Sequence, residues 1–126
     1  LALDVSGSLW VATRDGGVCR VDTRARTVRS YPADAARPNT LPTDQARSLM
    51  IDRSGLIWVG TWNGGVARLR RTPFEHVQAS PAEGFRSPDV VGFAESPDGR
   101  LWVGTYGEGL YRYRPNTRVA EQPAAW

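Results

Sequence analysis

The chain repeats one pattern three times, and this repetition constrains the fold more than any other feature. The copies read SGSLWVATRDGGVCRVD at 6–22, SGLIWVGTWNGGVARLR at 54–70 and DGRLWVGTYGEGLYRYR at 98–114. Their turn glycines Gly7, Gly55 and Gly99 are 48 and 44 residues apart. That spacing lies within the roughly 40–50-residue period typical of β-propeller blades.

Each copy has the composition of short strands joined by tight turns. Segments such as Ile57–Thr61 are β-branched and aromatic, which favours strands, and Asn63-Gly64 is a strong hairpin signal. One strand precedes each of the second and third tryptophan strands, at 46–51 and 90–94. A looser strand follows each arginine strand, at 27–31, 74–77 and 117–120. Four antiparallel strands per repeat form a propeller blade.

The sequence therefore predicts an all-β fold of about three four-stranded antiparallel blades, at approximately 1–31, 41–79 and 88–121. The first blade is expected to be incomplete, because Leu1–Asp4 reads as the end of a first strand. Propellers close with about four to eight blades. We therefore expect a fragment of a larger propeller, or a ring completed by oligomerisation, with the remaining blades or other copies of the chain as partners.

Composition excludes several classes of function. The formal net charge is +3, and the 16 basic residues are scattered among 13 acidic ones, which argues against nucleic-acid binding. No apolar run approaches the roughly 18 residues of a membrane span, so a membrane is expected only through segments outside this chain. A single cysteine, Cys19, and a single histidine, His76, leave no internal disulfide and predict neither a metal site nor a cofactor.

The repeats resemble the two-component regulator propeller repeat, whose pattern is approximately D-x-x-G-x-[LI]-W-[IV]-G-T-x-x-G-G-L-x-R-[LY]. The copy from Asp52 to Arg70 matches almost throughout. The first copy has Ala12 in place of a glycine, and the third has Ser96 in place of the aspartate and Glu108 in place of a glycine. The segment RPNTLPTDQARSL at 37–49 is similar to the connection between blades of that family.

The resemblance implies a non-enzymatic sensor module on the periplasmic or extracellular side of a bacterial membrane receptor. In that family such propellers serve signal transduction by hybrid histidine kinases, diguanylate cyclases and related regulators. The chain itself contains no kinase, cyclase or receiver motif, so the resemblance leaves the output domain open. It also leaves open whether the module binds a ligand or a partner protein.

Two sets of residues recur as the frame of the repeat. The tryptophans lie in apolar strands and are interpreted as core residues. A buried arginine needs a partner, so each repeated arginine is expected to pair with a carboxylate such as Asp4 or Asp52. The alternative is that the arginines form a ring that binds anions. The small residue two positions after each tryptophan is expected to make room for a neighbouring blade. These frame residues are Trp10, Trp58, Trp102, Arg20, Arg68 and Arg112, with Ala12, Gly60 and Gly104 as the small positions.

The turn after each tryptophan strand changes from copy to copy while its frame does not. Variation on a fixed scaffold is typical of binding loops, and in propellers these turns share a face with the connections between blades, here 32–45 and 80–89. Exposed aromatics beside polar side chains suit stacking on a sugar ring and hydrogen bonding to its hydroxyls. The candidate ligand residues are Arg14, Asp15, Trp62, Asn63, Tyr106 and Glu108. The same residues also allow a purely structural role in the turns.

Three functions remain open on the sequence. The first is a sensory segment that binds an oligosaccharide or another polar ligand. The second is a propeller enzyme resembling the virginiamycin B lyases, which use a histidine and a metal at the propeller face, whereas His76 falls on a predicted outer strand. The third is a scaffold that holds partner proteins.

Overall fold

The computed structural model describes residues 1–37, 39–69, 74–77, 87–117 and 119–122, with the backbone alone at 74–77. Within these residues, twelve strands form three four-stranded sheets. Their bounds are β1 Ala2–Leu3, β2 Ser8–Ala12, β3 Val18–Asp22, β4 Thr27–Tyr31, β5 Ala46–Ile51, β6 Ile57–Thr61, β7 Val66–Leu69, β8 Phe74–Val77, β9 Val90–Glu95, β10 Leu101–Thr105, β11 Gly109–Arg114 and β12 Val119–Glu121.

Each sheet is an antiparallel meander in which sequential strands are neighbours. We call β1–β4 blade 1, β5–β8 blade 2 and β9–β12 blade 3. This architecture confirms the predicted all-β propeller-blade fold. In the part of the chain that the structure describes, no helix is long and apolar enough to cross a membrane.

The turn before each tryptophan strand is built in the same way in all three blades. Gly7, Gly55 and Gly99 have φ values of 84°, 85° and 81°, a left-handed conformation that favours glycine. The amide of each glycine donates to the carbonyl three residues earlier at 2.9–3.0 Å. The repeated glycine therefore closes a turn that another residue type would strain.

The two faces of a blade differ in chemistry. We call the side that carries the motif tryptophan and arginine the Trp face, and the opposite side the aliphatic face. In blade 2 the aliphatic face consists of Ile57, Val59, Ala67 and Leu69, all at most 8% exposed, and these residues form one core cluster with Trp10 of blade 1. A Trp face therefore packs onto the aliphatic face of the next blade.

The second junction repeats this arrangement. Trp58 of blade 2 is fully buried and shares a cluster with the aliphatic face of blade 3, which consists of Leu101, Val103, Tyr111 and Tyr113. Its ring meets Tyr113 edge-on with centroids 5.9 Å apart. Trp102 is only partly buried, because among the described residues no further blade lies on its face.

The small positions differ in how closely the next blade approaches. A methyl group at Gly60 would lie 2.6 Å from Cγ1 of Val90 in blade 3, and it would also meet Oγ of Ser48. At Gly104 the nearest atom, the carbonyl oxygen of Gly92, is 3.7 Å away. The room that the sequence predicts for a neighbouring blade is therefore used at Gly60, whereas at Gly104 no described residue of another blade makes a comparable approach.

Candidate functional site

The turns after the tryptophan strands share one frame. In each blade a threonine lies at the end of the tryptophan strand or directly after it, and its Oγ1 donates to the carbonyl oxygen of the glycine four residues later at 2.8 Å. The pairs are Thr13 and Gly17, Thr61 and Gly65, and Thr105 and Gly109. Since both ends of each turn are held in this way, the intervening side chains can differ without changing the backbone path.

The connections between blades hold these turns from the outside. The amide of Trp62 donates to the carbonyl of Gln45 at 2.9 Å, and the amide of Tyr106 donates to that of Asp89 at 3.0 Å. Oδ1 of Asp89 also accepts the amide of Asn63. A turn of blade 2 is thereby tied to the connection that enters blade 3, which places residues of two blades side by side.

The aromatic candidates of blades 2 and 3 are in contact. The rings of Trp62 and Tyr106 lie 5.4 Å apart at an interplanar angle of 56°. Tyr106 is 67% exposed, but Trp62 is partly buried. The guanidinium carbon of Arg47 lies 4.8 Å from the centre of the Trp62 ring. The freely exposed stacking surface of the pair is therefore that of Tyr106.

Arg47 was not predicted from the sequence. It lies where the register between β5 and β6 shifts, between Ala46 and Ser48. A bulge of this kind re-aims a side chain out of the regular alternation. The ring–guanidinium contact adds roughly 0.5–1 kcal/mol at an exposed position, which helps fix the orientation of Trp62.

A cleft of about 320 Å³ opens beside the aromatic pair. It is lined by Thr43, Gln45, Trp62, Asn63 and Asp89. Asn63 has a φ of 63°, a left-handed conformation that asparagine tolerates better than most residues. The lining combines an aromatic ring, amides, a hydroxyl and a carboxylate, which is the chemistry that holds a polar, hydroxyl-rich ligand.

The remaining candidates lie apart from this cleft. Arg14 and Asp15 are exposed in the turn of blade 1, and Glu108 is exposed beyond Tyr106 in the turn of blade 3. No described contact joins these three side chains to the aromatic pair. Of the connection at 80–89, residues 80–86 lie outside the described residues. The structure thus brings together Trp62, Asn63 and Tyr106 and adds Arg47 and Asp89 to them.

The repeated arginines have different partners. Nη2 of Arg20 lies 3.7 Å from Oδ2 of Asp4, while Arg112 donates to Oε1 of Glu121 through Nη2 at 2.7 Å. Arg68 is 8% exposed, and its guanidinium carbon lies 5.3 Å from the Trp58 ring centre. The expected carboxylate is thus found for Arg20 and, from the last strand of its own blade, for Arg112.

A hydrogen bond between an aspartate and the indole six residues later is a feature that sequence reasoning missed. Oδ2 of Asp4 accepts from Nε1 of Trp10 at 2.9 Å, and Asp52 accepts from Trp58 at the same distance. Burial alone would raise the pKa of Asp4, but hydrogen bonds from Ser6 Oγ, Trp10 Nε1 and two backbone amides lower it to about 2. Burial would likewise raise the pKa of Asp52, but hydrogen bonds from Ser54, Trp58 and backbone amides lower it. The D-x₅-W spacing shared by the first two copies was the available signal.

His76, the single histidine of the chain, lies on β8, at the edge of blade 2. Its side chain is outside the described residues. Among the residues that the structure describes, no group of three or more His, Cys, Asp or Glu side chains could hold a metal ion.

Comparison with protein families confirms the resemblance seen in the repeats. Residues 40–63 and 84–107 match the two-component regulator propeller family. Each match runs from the connection between blades through the tryptophan strand to the variable turn. No curated protein matches the chain in sequence.

Solved structures share the fold at low sequence identity. An extracellular domain assigned to a hybrid two-component system of B. thetaiotaomicron superposes with a TM-score of 0.84 at 21% identity, covering 93% of this chain and 16% of that domain. A second such domain from the same organism gives 0.78 at 21% identity, covering 96% and 17%. The virginiamycin B lyase of Staphylococcus aureus gives 0.67 at 15% identity, covering 91% and 37%. The chain thus spans about a sixth of the length of the two extracellular domains.

Proposed function

Because the chain carries two-component regulator propeller repeats, we propose that it is a non-enzymatic sensory segment of a bacterial signal-transduction receptor. The receptor is of the two-component or cyclic-di-GMP type, and the segment lies on the periplasmic or extracellular side of the membrane. The matched repeats support this proposal, as does the fold shared with extracellular domains of two-component systems. Within the whole receptor, further propeller blades are the expected neighbours.

We place ligand binding at the cleft beside Trp62 and Tyr106. The observation that carries this assignment is the contact between these two rings, which come from different blades and stand over a cleft lined by Asn63 and Asp89. The exposed Tyr106 ring offers a flat apolar surface, and the polar lining offers donors and acceptors. An oligosaccharide matches both, because pyranose rings have an apolar face and a hydroxyl rim.

Titration calorimetry with a panel of neutral oligosaccharides tests the assignment. Tyr106→Ala should weaken binding at least about tenfold, which corresponds to about 1.4 kcal/mol. Tyr106→Phe should retain most of the affinity, since it keeps the ring. Asn63→Gly preserves the left-handed turn but removes the amide, so an intermediate loss is expected. If all three variants bound the oligosaccharide as tightly as the unchanged chain, the assignment of the ligand site to this cleft would be wrong.

The enzyme alternative rests on the fold shared with virginiamycin B lyase. The described residues supply no metal-binding group for it. Chelator-sensitive cleavage of virginiamycin B by the chain would establish it and refute the sensor proposal. If neither binding nor cleavage is found, the scaffold function is the remaining candidate. Its test is capture of a partner protein by the turns that follow the tryptophan strands.

A further inference from the structure

The residue that faces the repeated arginine is of a different kind in blade 1. In each blade the arginine lies directly opposite one residue of the last strand. The facing pairs are Arg20 and Arg29 in blade 1, Arg68 and Glu75 in blade 2, and Arg112 and Glu121 in blade 3. Like charges that face each other on neighbouring strands are destabilising. Blade 1 therefore carries a second positive charge at the position where the other two blades carry a glutamate.

The glutamate of blade 3 shows what this position does for the arginine. Arg112 donates to Oε1 of Glu121 through Nε at 3.1 Å and through Nη2 at 2.7 Å. In blade 1, Nε of Arg20 is buried and has no hydrogen-bond acceptor among the described residues. A buried donor without an acceptor is unfavourable. The Arg20 side chain as a whole is 38% exposed, so it is accessible from solvent.

Arg29 is an exposed cation that lies against an aromatic ring. Its guanidinium carbon is 5.3 Å from the centre of the Tyr31 ring, and this ring stacks on Trp10 with the centroids 5.5 Å apart. The guanidinium carbon of Arg20 lies 5.7 Å from the centre of the same Trp10 ring. Among the described residues, no carboxylate forms an ion pair with Arg29. The two guanidinium groups thus flank one aromatic pair.

The charge around this pair favours an anion. The carboxylate beside Arg20 is Asp4, whose Oδ2 lies 3.7 Å from Nη2. That carboxylate already accepts hydrogen bonds from Ser6, Ser8 and Trp10. One carboxylate beside two guanidinium groups leaves an excess of one positive charge. A carboxylate ligand would neutralise this excess through charge-assisted hydrogen bonds, which arginine forms with good geometry.

A groove of about 660 Å³ opens beside Arg20 where blades 1 and 2 meet. Its walls belong to these two adjoining blades. The lining includes Asp4, Trp10 and Arg20 of blade 1 and Leu56, Ile57 and Leu69 of blade 2. A guanidinium group beside apolar side chains suits a ligand that carries a carboxylate on a small apolar body.

We propose that Arg20 and Arg29 together bind the carboxylate of a small organic acid whose apolar body lies in this groove. The ligand carboxylate takes the role that Glu121 has for Arg112 in blade 3. The groove and the cleft beside Trp62 share no lining residue. Acid binding here and oligosaccharide binding at the cleft can therefore fail independently of each other.

Titration of the purified protein with benzoate tests the proposal. Calorimetry measures the affinity, and the nuclear magnetic resonance signal of the Arg20 Nε–H group reports the place of binding. Benzamide, which has the same ring but no charge, is the control ligand. We expect a saturable shift of the Arg20 signal and at least about tenfold tighter binding of benzoate than of benzamide. Added sodium chloride should weaken benzoate binding, because it screens exposed charges.

Two variants with the same change of charge separate the site from general attraction. Arg29→Glu gives blade 1 the arginine–glutamate pair of the other blades, so it should weaken benzoate binding at least about tenfold and raise the urea midpoint without ligand. Arg24→Glu lies in the exposed turn between β3 and β4 and should change neither quantity appreciably. Unaltered affinity in Arg29→Glu, equal losses in both variants, or no shift of the Arg20 signal would each overturn the proposal.

Discussion

Replacing Gly60 by alanine tests whether the size of the small motif position is set by the neighbouring blade. The new methyl group would meet Oγ of Ser48 in its own blade and would lie 2.6 Å from Cγ1 of Val90 in blade 3. The serine hydroxyl can rotate away, but valine is stiff about χ1, so the clash with Val90 is relieved only by moving the backbone. Overpacking of this kind costs about 1–3 kcal/mol, and the lower entropy of the unfolded chain returns about 0.4–1 kcal/mol. A net loss of about 1–2 kcal/mol is expected.

The other junction within the chain suggests how to relieve the clash. Between blades 1 and 2, Ala12 packs against the cluster that contains Ala46. In the repeat, Ala12 corresponds to Gly60 and Ala46 corresponds to Val90. Val90→Ala alone should cost about 2 kcal/mol, because it opens a cavity at a fully buried site. In Gly60→Ala/Val90→Ala the new methyl group occupies part of that cavity. The double variant should therefore be less destabilised than the sum of the single variants by about 1 kcal/mol.

Urea unfolding followed by circular dichroism measures each of these free energies. The control is Gly104→Ala, since its nearest neighbour is 3.7 Å away and a change within about 0.5 kcal/mol is expected. The reasoning would be refuted if Gly60→Ala behaved like Gly104→Ala. It would also be refuted if the two single effects added without coupling.

Three further changes probe the turns. Asp52→Ala leaves the indole N–H of the fully buried Trp58 without its acceptor, so urea unfolding should show a loss of about 2–3 kcal/mol, whereas Asp15→Ala in an exposed turn should show almost none. The pKa of Asp4 in the folded protein is lowered to about 2, so the contribution of this carboxylate to the free energy of unfolding is complete above about pH 4 and is lost as the pH falls towards 2. The urea midpoint should therefore fall over that interval, and it should fall less in Asp4→Asn. Asn63→Ala should lower the melting temperature relative to Asn63→Gly, because alanine is strained at a φ of 63°.

The sequence predicted the repeat, the strands and their order because these depend on local signals. The period, the turn glycines and the apolar strands each act within one blade, and the observed bounds agree with the predicted ones to within a few residues. The matching of Gly60 with Val90 was not predictable in this way. It depends on how closely two sheets approach, and that distance is set jointly by residues of both blades.

In the candidate site, too, the sequence predicted the individual residues but not the contacts between them. Trp62 and Tyr106 were identified because they vary within a constant turn, but their contact joins residues 44 positions apart. Arg47 escaped notice because a bulge turns it towards Trp62, and strand alternation alone gives no sign of a bulge. Arg14, Asp15 and Glu108 occupy equivalent turns, yet equivalence in the repeat does not place side chains in one cleft.

The candidate cleft is separate from the broad faces of the blades. It lies between blades 2 and 3, and its lining residues come from turns and connections at the end of the sheets. A charge on the aliphatic face of blade 1, as in Val21→Glu, should therefore leave oligosaccharide affinity unchanged, whereas Tyr106→Ala should weaken it.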